Sequence, residues 1–391
     1  MFLGKPIEPH ASLVRSLENS LRVPQMQRLT CQNCAHDVFF DNTHCLNCGY
    51  TLGYAPLAAG MLASDNGSAF GVDGAAHYPC VNREIIACNW LTGAPGTLCA
   101  ACRHNQVIPD LSINAHVTNW GRIEKAKRVL FYSLIAWDLP LATKNEAPQG
   151  GLAFDFLADE TRPDGSFEQH ATGHAEGLIT INIAEGDDAE RERRRQDLGE
   201  PYRTLVGHFR HEIGHYYFDR LVVPDADRLD RARSLFGDER SDYQAALERH
   251  YQAGPPADWR NSFISGYAAA HPFEDFAETF AHYVHMVDGL ETAAAFGVEA
   301  NHDHPMPSPY SEGTIDELIE AWVPVTVAVN AVNRSMGQPD LYPFVLSDPV
   351  YEKLGFVHDL LRPEAKRQSA AGRFATGLFW RAPNPLRRLI A

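Results

Sequence analysis

All eight cysteines of this 391-residue chain fall between Cys31 and Cys102, and six of them stand in Cys-x-x-Cys pairs. That clustering limits what the front of the chain can fold into. From Leu29 to Thr118 long apolar periodic runs are scarce and Gly, Asn and Pro are frequent, so the stretch is better held by metal than by a core of its own. Cys31-Gln-Asn-Cys34 and Cys45-Leu-Asn-Cys48 are separated by ten residues. Each pair can set two thiolates on one ion, and two pairs complete a tetrahedron with Zn–S distances of about 2.3 Å. Gly49, directly after the second pair, suits the tight turn such a site needs. Cys80, Cys88, Cys99 and Cys102 form a less regular set, and a second four-sulfur zinc site is the preferred reading. The alternative is that Cys80 and Cys88 are small buried residues, or that the two sets share ligands. Four thiolates leave no open position for a substrate, so both sites are structural.

The net charge of −16 and the pI of about 5.5 oppose a general binder of nucleic acid or of anionic membranes, because phosphate contacts need clustered Lys and Arg. Between residues 29 and 118 only Arg83 and Arg103 stand against six acidic residues, so protein contact suits this region better than nucleic acid. The opening "MFLGKPIEPHASLVRSLENS" lacks a signal-peptide core, and no stretch approaches the roughly 18 apolar residues of a membrane span. Together with cysteines that suit a reducing compartment, this makes the cytoplasm the expected location.

Residues 1–28 read as an unstructured extension, with Met26 as an alternative start, and 362–391 as a basic, disordered tail. Between them lie the cysteine domain, 29–118, and a mainly helical domain with a small β-sheet, 119–361, which makes the fold class α+β. The second domain opens with a helix carrying Ile123, Ala126, Val129, Leu130, Ser133, Leu134 and Trp137 at helical spacing, stopped by Pro140. "GLAFDFLAD" and "GLITINIAEG" alternate as strands do, the second with Ile179, Ile181 and Ile183 on one face. The charge run "EGDDAERERRRQDLGEPYR" reads as a solvated loop and helix. "YRTLVGHFRHEIGHYYFDRLVV", "HPFEDFAETFAHYVHMVDGLETAAAFG" and "IDELIEAWVPVTVAVNAVNRSMG" supply further helices.

In "GHFRHEIGHYYFDR" two histidines stand four apart. On a helix, His211 and His215 share one face a turn apart, so both imidazoles can reach one metal while Glu212 projects beside them. A catalytic zinc needs three protein ligands and an open position, so a third ligand is sought downstream. Glu274 and Glu278 lie on one helix face with His282 continuing the stripe, and spacing alone does not choose between them.

"HEIGH" followed some sixty residues later by "EDFAETF" resembles the gluzincin metallopeptidases of the anthrax lethal factor and Pro-Pro endopeptidase type. That resemblance implies Glu274 as the third ligand. It also implies a tyrosine seven residues before it, aimed at the scissile carbonyl, and Tyr267 stands there. The cysteine-rich front end joined to "EPYRTLVGHFRHEIGHYYFDRLV", "EDFAETFAHYVH" and "NRSMGQPDLYPFVL" is similar to a bacterial family of zinc-binding metallopeptidases with an N-terminal zinc ribbon, over roughly residues 29 to 360.

These parts set the expected chemistry: hydrolysis of a peptide or protein substrate by one catalytic zinc on His211, His215 and Glu274, beside two structural zincs. Glu212 acts as general base and then as proton donor to the leaving amine. Tyr267 hydrogen-bonds the oxyanion, an interaction typically worth about 3 kcal/mol. Glu278 and Asp219 are candidates to hold the ligand imidazoles. "GLITINIAEG" is a candidate cleft edge to which a substrate strand could add. His208 and His285 read as surface or packing histidines, and Tyr216, Tyr217, Phe273, Phe276 and Phe280 as core-facing aromatics on their helices. If the histidine helix holds no metal, the same sequence describes a non-catalytic zinc scaffold for protein contacts.

Overall fold

A tight loop around each cysteine pair starts the fold, and Ala35 (φ 55°) and Gly49 (φ 76°) take left-handed conformations there. The computed structural model describes residues 28–56, 60–72, 74–161, 164–168, 170–198, 204–298, 309–310, 313–342 and 346–362. The expected N-terminal extension and basic tail lie outside these residues, apart from Arg28 and Arg362 at their borders. The front end is a set of short antiparallel ladders. Strand β1 (Leu29–Thr30) pairs with β2 (Asp37–Val38), β3 (Thr51–Ala55) with β4 (Gly60–Ser64), and β5 (Phe70–Val72) with β6 (Ala75–Pro79), which also pairs with β7 (Leu91–Thr92). The protein is α+β, with a cysteine-rich front of small sheets followed by a mostly helical domain.

Helix α1 (Asn114–Ala136) begins before the expected 119 and is buried around most of its girth. Its apolar face includes Ile123, Leu130 and Leu134, as periodicity predicts, but two charged residues, Lys127 on that same stripe and Glu124 beside it, are also fully buried. The reason is that α1 is covered from two sides. Tyr132 packs against Phe40 and Tyr54 of the front end, at 5.7 and 6.3 Å between rings, and Phe131 packs on Phe154 of the central sheet at 6.0 Å.

That sheet runs β12 (Gly173–Ala175), β13 (Leu178–Asn182), β9 (Ala153–Leu157), β8 (Asn105–Val107). β13 and β8 both run parallel to β9, and β12 is antiparallel to β13. A separate two-stranded ladder joins β10 (Glu160–Thr161) to β11 (Phe167–Glu168). The "GLITINIAEG" strand is therefore an interior strand, with Ile179 and Ile181 buried, and not a cleft edge. Alternation reports which face a strand buries but not which neighbours it has. The edges of this sheet are β12 and β8.

Helix α2 (Asp188–Leu198) carries the charge run, with ion pairs Arg191–Asp188 and Arg193–Glu190 one turn apart. Helix α3 (Leu205–Tyr217) is capped by Thr204, whose Oγ1 accepts from Gly207 N at 2.9 Å, and runs on as a π-helical turn to Val222. Helices α4 (Ala226–Phe236), α5 (Tyr243–Ala253), α6 (Pro272–Ala295), α7 (Ile315–Ser335) and α8 (Asp348–Leu361) complete the domain. α3 and α6 are the central pair. A Cβ on Gly214 would lie 3.0 Å from Ala277 Cα, so the glycine of "HEIGH" is what lets the two helices approach. Arg210 of α3 pairs with Asp288 of α6 in the same buried interface. Among the described residues no helix is long and apolar enough to cross a membrane.

Candidate metal centre

Two of the metal-ligating groups are the cysteine sets, and they do not mix. Cys31 Sγ lies 3.7 Å from Cys48 Sγ and Cys34 Sγ 3.6 Å from Cys45 Sγ, while Cys88 Sγ lies 3.8 Å from both Cys99 Sγ and Cys102 Sγ. A disulfide would need about 2.0 Å. Four sulfurs each about 2.3 Å from a central zinc have a tetrahedral edge of about 3.8 Å, which is the spacing found. Within each set, Cys31, Cys34, Cys45 and Cys48 in one and Cys80, Cys88, Cys99 and Cys102 in the other, all ligand atoms lie within 4.8 Å of one another. Donors turn toward the sulfurs: Asn47 Nδ2 to Cys34 at 3.5 Å and the Cys99 backbone N–H to Cys80 at 3.3 Å. The first set reaches the surface at Cys34 and Cys48, whereas the second is wholly buried.

The third group joins α3 to the first turn of α6. His211, His215 and Glu274 bring one ligand atom each within 4.8 Å of the others. The two Nε2 atoms are 3.2 Å apart, and Glu274 Oε2 lies 2.9 Å from that of His211 and 3.6 Å from that of His215. Glu274 Oε2 is buried with no hydrogen bond to satisfy it. Two imidazoles and a carboxylate converging on one such point are the donor set that holds zinc with a position left open. Glu278, the other candidate, sits behind His211, its Oε1 accepting from Nδ1 at 2.7 Å, and Ser265 Oγ donates to its Oε2 at 2.6 Å. It orients the imidazole instead of meeting the metal position. Burial pulls His211 down, but the carboxylates of Glu274 and Glu278 outweigh it and hold the ring well above its ordinary pKa. Burial raises Glu278, yet the bond from His211 brings it down to about 2.

The chain matches two family models: a zinc-ribbon domain over residues 28–113 and, over residues 116–360, the family described as "Putative zinc-binding metallo-peptidase". The chain belongs to this metallo-peptidase family. Uncharacterized proteins of Mycobacterium bovis and Mycobacterium tuberculosis are 42% identical to it over 341 residues, which span 86% of this chain and 95% of theirs. No solved structure matches it.

The other residues singled out in the sequence fall partly at that centre and partly in the surrounding core. Glu212 is 9% exposed, and its charge is felt at the hydroxyl of Tyr243. Tyr267 sits in a short 3-10 turn with its ring 5.8 Å from that of His211, and burial, then the charge of Glu274, pushes its hydroxyl pKa up. Asp219 does not hold His215, whose Nδ1 has no hydrogen-bond partner; one turn of helix places the carboxylate near enough to exert charge only. Phe273 lies against His215, rings 4.2 Å apart, so it lines the site, whereas Phe276 and Phe280 are fully buried in the core. Tyr216 and Tyr217 donate to the carbonyls of Gly150 and Pro140, and His285 stacks on Tyr342 at 5.0 Å. His208 lies 3.7 Å from the buried Glu185.

Two residues that the sequence did not single out also touch the site. His174, on the edge strand β12, stacks on His215 with ring centroids 6.1 Å apart, and burial lowers its pKa to about 4. Tyr243, at the start of α5, donates its hydroxyl to Glu274 Oε1 at 2.6 Å. Neither stands at a recognisable spacing from the motif.

Proposed function

We propose that this protein hydrolyses peptide bonds, with zinc held by His211, His215 and Glu274 and with Glu212 as general base. The observation that carries this reading is the convergence of both imidazole Nε2 atoms on a buried, unsatisfied carboxylate oxygen of Glu274. A zinc ion held there would polarise a carbonyl and lower the pKa of water. Glu212 takes the proton of the attacking water and hands it to the leaving amine nitrogen. Tyr267, beside the His211 ring, donates to the oxygen that gains negative charge. Glu278 keeps the His211 Nδ1–H engaged and so holds Nε2 toward the ion. The substrate adds as a strand to β12, whose His174 adjoins His215, so that main-chain hydrogen bonds place the scissile bond near the centre.

In this reading the chain holds three zinc ions, two of them structural, in a reducing compartment such as the cytoplasm, and the ribbon meets the protein substrate or a partner. The test is Glu212→Gln. Cleavage of a peptide library should fall by at least about 100-fold with zinc content unchanged, and undiminished turnover would overturn the mechanism.

A further inference from the structure

Glu274 is held from the side opposite the histidines. The linker between α4 and α5 is tied to the N-terminus of α6, the turn that carries this carboxylate. His271 caps α6, its Nδ1 accepting from Phe273 N at 3.1 Å, and its Nε2 donates to the carbonyl of Ser241 at 3.1 Å. Gly237, at φ 102°, packs against Pro272, where an added Cβ would stand 3.1 Å from Pro272 Cγ. Asp242 then caps α5, accepting from Ala245 N at 3.0 Å. Helix α5 itself buries only Ala246, so the tied linker, more than packing of α5, sets where Tyr243 stands.

That placement puts the Tyr243 hydroxyl 2.6 Å from Glu274 Oε1, while Oε2 faces the two Nε2 atoms at 2.9 and 3.6 Å. We propose that Tyr243 is a positioning residue that makes Glu274 a one-oxygen metal ligand by engaging its other oxygen. The inference rests on the metal-centre reading above. A carboxylate free to turn could offer both oxygens and occupy the position that a substrate carbonyl or water needs. With Oε1 bound to Tyr243, that position stays open, and the orientation of Glu274 is set before the ion arrives. Partners of this kind typically change metal affinity by about 10- to 100-fold.

The experiment is Tyr243→Phe in the full chain, with Tyr351→Phe, a hydroxyl on α8, as control. Tyr243 is 41% exposed, so loss of its hydroxyl leaves the fold intact, which circular dichroism verifies. Zinc retention is read by competition with a chromophoric chelator, and ligand geometry by the visible spectrum of protein with cobalt at the histidine site. Tyr243→Phe should keep two zincs, hold the third at least about 10-fold more weakly and shift the cobalt bands, while Tyr351→Phe matches wild type. Wild-type affinity and an unshifted spectrum in Tyr243→Phe would overturn the inference alone. A wild-type protein with only two zincs would overturn the metal-centre reading and the inference with it.

Discussion

Lys353 is the clearest place to test how the domain keeps the first turn of α6 in register. Its ammonium, on α8, lies 2.6 Å from Asp275 Oδ2 and 2.7 Å from the carbonyl of Ser262, and 4.5 Å from the ring centre of Phe263. Both side chains are nearly sealed from solvent, at 5% and 0% exposure, and Asp275 is the residue next to Glu274. Burial pushes the Asp275 carboxyl up to about 7 even against the pull of Lys353. Lys353→Met keeps the volume and removes the charge. At pH 6 the carboxyl is protonated with or without Lys353, so the loss is hydrogen bonding and the cation–π contact, about 2 kcal/mol.

At higher pH the two proteins part. A carboxyl whose native pKa is raised contributes stability that is present at low pH and lost as pH rises toward that native value. In wild type this loss ends near pH 7, where Asp275 ionises beside Lys353. In the variant the carboxyl has no cation and stays protonated, so the loss continues at about 1.4 kcal/mol per pH unit. The difference between the proteins should thus grow from about 2 kcal/mol at pH 6 to between about 3 and 4 kcal/mol at pH 8, in line with the range for a broken buried pair. Urea unfolding of both zinc-loaded proteins at each pH measures it, and taking the difference cancels titrations the two share. In an Asp275→Asn background, Lys353→Met should cost the same at pH 6 and pH 8. A difference that stays constant between pH 6 and pH 8 would refute the reasoning.

Two other substitutions probe the same helix pair. Gly214→Ala puts a methyl 3.0 Å from Ala277 Cα and 3.2 Å from its carbonyl oxygen, which must separate α3 from α6; the melting temperature should fall by the equivalent of about 1 to 3 kcal/mol, and the histidine-site zinc should be held more weakly. Glu291, 3% exposed, accepts from the Tyr132 hydroxyl at 3.2 Å, and burial followed by the charge of Asp288 raises its carboxyl to about 9. Its raised native pKa means stability is lost as pH climbs from about 4.5 toward 9, so neutral Glu291→Gln should gain on wild type by a few kcal/mol across that window; equal melting shifts at pH 5 and pH 8.5 would count against it.

What could be read from the residues follows from how local each constraint is. A Cys-x-x-Cys knuckle is decided within four residues, and two imidazoles one turn apart need only a helix, so both the cysteine sets and His211 with His215 were legible. The choice between Glu274 and Glu278 was not. Both face α3, and what separates them is that one meets Nε2 and the other Nδ1 of the same ring, a matter of helix crossing that spacing does not encode. Tyr243 reaches the site from a linker bound to α6 by hydrogen bonds of His271, with no fixed interval from either motif. The place of β13 inside the sheet was hidden for a related reason: its neighbours come from residues 153–157 and 173–175, and alternation says nothing of either.

The same non-locality explains why the front end is more than an attached module. β8 follows directly on Cys102 and His104, yet it pairs with β9 in the sheet of the helical domain. Glu124 of α1, fully buried, lies with Oε2 3.7 Å from Cys102 Sγ and accepts at Oε1 from Asn105 Nδ2 at 2.9 Å and from Lys127 Nζ at 2.6 Å. Lys127 in turn bonds Asn105 and sits about equally over Phe154 and Phe156, at 5.0 and 5.1 Å. Their charge alone would send Glu124 and Lys127 to solvent, although the spacing puts Lys127 on the stripe of Ile123, Leu130 and Leu134. Buried beside a four-thiolate set, they are a charge pair whose desolvation is offset only while the second cysteine site, β8 and β9 all stay in place. The wholly buried cysteine set therefore acts on the helical domain as part of its core, whereas the first set is open to the surface at Cys34 and Cys48.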